Sequence, residues 1–263
     1  TTIAMFFAGA GIGLMLCGVA IPLLLQQVGD AAWPLAWRAM GVAGLAMSVV
    51  AIWAAWQIDE PGAAPGSASW SVLPFMRQLL AYLCFGLGYI GYMTFVIAWM
   101  RINGAGVELV MSVWVVLGAA TLLAPMVWAG PCERWRGGRP LAAIMATSAI
   151  GAMLPMVSLH PIALLSSAVL FGLSMFSAPS AVGSLIKHWL PKPAWGSAMA
   201  TFTIVFAASQ MVGPVATGWV ADHWGSLRPG LTASALVLAF GALLALTQGE
   251  PKHRGDAAAR SRA

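Results

Sequence analysis

The stretch Ala81–Trp99, AYLCFGLGYIGYMTFVIAW, decides the fold. Its nineteen residues carry no charge, and a helix needs about 20 apolar residues to cross the hydrocarbon core of a bilayer. The apolar residues surround the segment instead of forming one stripe, the pattern of a helix bathed in lipid. They do not alternate with period two, which excludes a barrel strand. Inside the stretch, Gly86, Gly88 and Gly91 spell the dinucleotide fingerprint G-x-G-x-x-G. That fingerprint works only after a strand and at the start of a helix. Within an apolar span the glycines serve close helix packing, and Gly9 with Gly13 reads the same way.

Working outward, the same pattern repeats. Apolar blocks run from about Ile3 to Leu25, Ala36 to Trp56, Phe75 to Trp99, Val107 to Trp128, Leu141 to Val157, Ile162 to Leu185, Ala194 to Val220 and Leu231 to Leu246. Short polar breaks separate them, with one longer linker rich in Gly, Pro and Ser from Pro61 to Trp70. Only 8% of the 263 residues are charged and 60% are hydrophobic, against about 25% charged in a soluble domain. The fold class is therefore all-α and polytopic, with eight transmembrane helices whose backbone is satisfied within each span. Thr1 opens directly on an apolar run, without a basic region or a cleavage site. This is no signal peptide, and it reads as a chain whose beginning lies upstream.

Sidedness follows from the thirteen Lys and Arg. Ten fall on one side of the spans: Arg77, Arg134, Arg136, Arg139, Lys187, Lys192 and four in the tail. Arg38, Arg101 and Arg228 fall on the other. The positive-inside rule places the ten, the linker and both ends of the chain in the cytoplasm. The net charge of +5 belongs to loops and tail, so it implies no nucleic acid.

Chemistry has few carriers. Cys17, Cys84 and Cys132 lack metal-like spacing and read as small apolar filler. His160, His188, His223 and His253 lie in loops, span ends or the tail, and no H-E-x-x-H occurs. No cofactor or metal is expected, and no enzyme. Glu108, Asp222 and Arg101 sit at span ends, where solvation or snorkelling accounts for a charge. The uncharged polar residues remain. Tyr82, Tyr89 and Tyr92 share one face of the third span, Ser167, Ser174 and Ser177 repeat that spacing on the sixth, and Thr201, Thr203, Ser209 and Gln210 lie along the seventh. Such groups either line a polar cavity or bond helices together.

Four segments resemble the major facilitator superfamily of transporters. Gln210-Met211-Val212-Gly213-Pro214, with Gly218, Asp222 and Gly225, is similar to its eleventh helix. Ala81 to Arg101 resembles the seventh helix of the YbfB/YjiJ-like branch. The basic turn with Gly130, Glu133, Arg134 and Arg139 stands where the loop motif between helices eight and nine belongs, and Gly9, Gly11, Gly13, Gly18 and Pro22 resemble the fifth helix. The turn departs from the motif: Glu133 replaces its aspartate, Arg136 its glycine, and Gly137 comes one residue late.

The resemblance implies an incomplete facilitator fold, helices five to twelve. Residues 1–58 would be the last two helices of the N-terminal half, 59–74 the cytoplasmic central loop, 75–247 the six-helix C-terminal half and 248–263 a cytoplasmic tail. It implies a secondary transporter of a small molecule across the inner membrane by alternating access, proton-coupled and monomeric when complete. Family position nominates Tyr89, Tyr92, Ser174 and Ser177 for the substrate cavity, Gly130, Glu133, Arg134 and Arg139 for gating, and Gly213, Pro214 and Gly218 with Gly9 and Gly13 for packing. The rival readings are a lipid-modifying membrane enzyme, which would need clustered acids, histidines or a nucleophile, and a non-transporting scaffold.

Overall fold

The computed structural model describes residues 2–57 and 69–249; most of the expected central loop and nearly all of the tail lie outside them. Among the described residues nine α-helices follow in order: α1 Thr2–Val28, α2 Trp33–Ala55, α3 Met76–Ile102, α4 Val107–Arg134, α5 Arg139–Val157, α6 Pro161–Met175, α7 Ala178–Trp189, α8 Trp195–Trp224 and α9 Leu227–Leu246. They make eight spans long and apolar enough to cross a membrane, because α6 and α7 belong to one. Among the described residues there is no strand.

The expected sixth span is thus not one continuous helix. Pro179, in the first turn of α7, has no N–H to donate, and its ring would clash with the carbonyl four residues back. The helix stops at Met175 and restarts at Ala178. A helix end in lipid must satisfy its last carbonyls, and here neighbours do so. Thr121 Oγ1 donates to the Gly172 carbonyl at 3.1 Å, Trp128 Nε1 to that of Leu173 at 2.7 Å, and Ser177 N to that of Ser174 at 3.0 Å.

Helices α3 to α9 form one bundle. α3 lies against α8 and α9, α9 also against α5, and α6 between α4 and α5. Because lipid is as apolar as leucine, such helices associate through close packing and interhelical hydrogen bonds. The glycines of α3 show the first. A Cβ on Gly88 would sit 2.7 Å from the Ser234 carbonyl of α9, and one on Gly91 at 2.7 Å from Ser234 Oγ. Gly86 meets Ser209 of α8. The fingerprint-like triplet is a packing surface.

α1 joins the bundle chiefly through α4, and α2 touches α1 only lightly. Its 23 residues span about 35 Å at 1.5 Å rise. Trp33 and Trp37 near one end and Trp53 and Trp56 near the other are all exposed, the placement of aromatic anchors at two membrane interfaces.

One end of the bundle is tied by Gln248, itself buried. Its Oε1 accepts from Gln78 N at 3.2 Å, its Nε2 donates to the Pro74 carbonyl at 2.9 Å, and its own carbonyl accepts from Gly138 N at 3.0 Å. Arg77 Nη1 adds a bond to the Thr247 carbonyl at 2.8 Å. The start of α3, the α4–α5 turn and the end of α9 therefore meet at one residue.

Candidate functional site

The closest crossing of α1 and α4 pairs two glycines. A Cβ on Gly118 would stand 2.5 Å from the Gly11 carbonyl, and Gly18 lies on the Trp114 side chain. These contacts, and not Gly9 and Gly13, pin α1. A Cβ on either of the latter would meet nothing within 4 Å.

Beside that crossing the helices diverge around a cavity of about 790 Å³, within the range of small-molecule sites. α1 supplies one wall with Leu14, Cys17, Ile21 and Pro22. Opposite stand Ile97 and Arg101 of α3, Val110 and Trp114 of α4, and Phe176 at the α6–α7 break. Gly13 lines it as well, which explains its empty surroundings. Gln26, Arg101 and Val107 gather at one end of the cavity. The rest of the lining is almost wholly apolar.

None of the four residues nominated by family position is on that lining. Tyr92 is buried, its Oη 2.8 Å from Ser167 Oγ, which itself donates to the Gly151 carbonyl at 2.6 Å. It borders a void of about 10 Å³, room for a single water at most. Tyr89 Oη accepts from Gln210 Nε2, and its ring stacks with Phe85 and Phe206. Ser174 Oγ is 2.7 Å from Ser148 Oγ, and Ser177 Oγ donates to the Leu173 carbonyl at 3.0 Å. Between cavity and glue, these hydroxyls bond helix to helix or helix to its own break.

The motif residues divide similarly. Gly130, Glu133 and Arg134 are in the last turns of α4, and Arg139 begins α5. Gly130 has open space around it. The glycines that matter in the turn are Gly137, with φ +62, and Gly138, where a Cβ would stand 2.9 Å from that of Gln248. On α8, Gly213 lies against α3, 2.7 Å from the Leu87 carbonyl by the same construction, whereas Gly218 makes only an ordinary 3.5 Å contact with Phe95. Pro214 is accommodated inside α8, and Gly225 ends it in the left-handed conformation.

Sequence reasoning missed Cys17, Trp114 and Phe176. A signal for α1 existed: Ala10, Leu14, Cys17, Ile21 and Leu25 recur at helical spacing on one face and all line the cavity. Among the described residues, no three His, Cys, Asp or Glu gather as metal ligands.

A family model described as "Uncharacterised MFS-type transporter YbfB" matches residues 1–246. The chain belongs to this branch of the major facilitator superfamily. The YbfB-type match runs from α1 through α9, so all eight spans fall within it. No curated protein matches the chain. The family is one of transporters, not of enzymes, and with eight spans the protein is a multi-pass membrane transporter.

Proposed function

We propose that this protein is a secondary transporter of a small molecule that works by alternating access, and that the cavity between α1 and the α3–α9 bundle is its substrate site. The observation that carries the reading is the placement of that cavity. By family position α1 and α2 are helices five and six, and α3 to α9 provide helices seven to twelve, so the cavity lies between the two halves. Facilitators rock their halves about such a site. The apolar lining beside a few polar groups suits a small organic solute. Coupling to protons, location in the inner membrane and a monomeric complete protein are part of the proposal.

The segment boundaries are proposed with it: 1–58, 59–74, 75–247 and 248–263, with both ends cytoplasmic. The charge asymmetry supports that orientation, and so does the meeting of Arg77, Gly138 and Gln248 at one end of the bundle. A gating role is proposed for the turn around Glu133, Arg134 and Arg139, whose side chains are exposed.

Cys17 supplies the test. It is exposed and lines the cavity, while Cys132 is buried. In vesicles of the full-length gene product, a membrane-impermeant maleimide should label Cys17, and a pH gradient should change the labelling rate from one side in the opposite sense to that from the other. A protonophore should remove the difference. Equal, gradient-insensitive labelling from one side alone would sink alternating access.

A further inference from the structure

The lining of this cavity is specific about charge, and that narrows the substrate. Leu14, Ile21, Ile97, Val110 and Trp114 make its walls apolar. Against them stand two groups able to form strong hydrogen bonds, Arg101 and Gln26, both near the C-terminal ends of helices that run in the same direction. Among the described side chains none that lines the cavity is acidic, and Glu108, one residue beyond the lining residue Val107, is exposed and off it. Arg101 Nη1 donates to the Ala105 carbonyl at a long 3.3 Å, which occupies one of the five N–H donors of a guanidinium fork.

We propose, resting on the transporter reading above, that the substrate is an organic monoanion with an apolar body, its carboxylate or comparable group held by Arg101. The fork of a guanidinium matches a carboxylate with two parallel bonds, and Gln26 can donate a further one. An aromatic or aliphatic body then covers the walls of α1, α3 and α4. A sugar fits poorly, because most of its hydroxyls would be taken from water to a surface without partners. An organic cation would enter the field of Arg101, with no acid among the described lining residues to offset it.

Maleimide labelling of Cys17 in vesicles of the full-length gene product reads occupancy without knowledge of the natural substrate. The probes are benzoate, 2-naphthoate and octanoate, set against 2-naphthamide, 2-naphthylmethylammonium and glucose. At least one carboxylate should slow the labelling in a saturable way, and the amide, the ammonium and glucose should not. Arg101→Gln should weaken that protection by about tenfold or more, with Arg101→Lys between it and the parent. Thermal melting in detergent should agree within a few degrees among the three proteins, which shows that the variants fold.

Protection by the amide or the ammonium equal to that by the acid overturns the proposal, as does failure of all three carboxylates or full protection retained in Arg101→Gln. If Cys17 changes its labelling with the gradient but no carboxylate protects it, the anion assignment fails and the transporter reading stands. If Cys17 is never reached from water, both fail.

Discussion

Glycine at position 130 and glycine at position 137 look alike in the basic turn, yet their surroundings set opposite expectations. Gly130 lies within α4 with nothing near its missing Cβ. Gly130→Ala should raise stability by about 0.5–1 kcal/mol through helix propensity. Gly137 sits at φ +62, and a Cβ there would approach the Gln248 carbonyl to 2.6 Å. Gly137→Ala should cost about 1–2 kcal/mol for the left-handed backbone alone, so thermal melting in detergent should move the two variants in opposite directions. Tyr92→Phe separates cavity from glue in the same way. It removes the bond to Ser167, worth about 0.6 kcal/mol between membrane helices, while Ser167 keeps its bond to Gly151. Melting should fall slightly and transport by the full-length gene product should be unchanged; a large loss of transport at full stability would put Tyr92 back on the substrate path.

Among the elements, the span of α6 and α7 departs furthest from expectation. Its hydropathy announces a single crossing, and that much was legible. The break was not. Pro179 was visible as a residue, but proline inside membrane helices is often absorbed without interruption, as Pro214 is in α8. What distinguishes the two sites is the set of donors supplied by α4: Thr121 and Trp128 take up the carbonyls released before the break. Pro179→Ala restores an N–H that can reach toward Met175. With Phe176 on the cavity wall, the variant should keep a melting temperature within a few degrees of the parent and slow transport several-fold. Trp128→Phe should instead act on stability, at about 0.5–1.5 kcal/mol for one hydrogen bond lost, since the Leu173 carbonyl keeps the bond from Ser177.

At the scale of the molecule, Gln248 closes a circuit between parts of the chain about 110 and 170 residues apart. It accepts from Gln78, donates to Pro74, and offers its carbonyl to Gly138. Gln248→Ala leaves the Pro74 carbonyl and the Gln78 amide without these partners, and should lower stability by about 1–3 kcal/mol. It should also let a protease added from that side cut the chain after Thr247 faster than in the parent. Unchanged melting and cleavage would mean that the circuit does not hold this end together.

Eight spans, their approximate limits and the partition of basic residues are properties of the sequence alone. Each is decided locally: twenty apolar residues must be helical in lipid whatever surrounds them. Family membership was legible too, since it rests on short motifs in order along the chain. Which small residues pack, which hydroxyls bond across helices, and where a cavity remains belong to the tertiary structure. Gly9, Gly11 and Gly13 are indistinguishable as letters, and only the crossing of α1 with α4 makes Gly11 a contact and Gly13 a wall. Tyr89 and Tyr92 likewise could face a cavity or a neighbour, and their partners Gln210 and Ser167 lie 121 and 75 residues away. Helical spacing places a side chain on a face; the neighbouring helix, brought there by the fold, decides what that face meets.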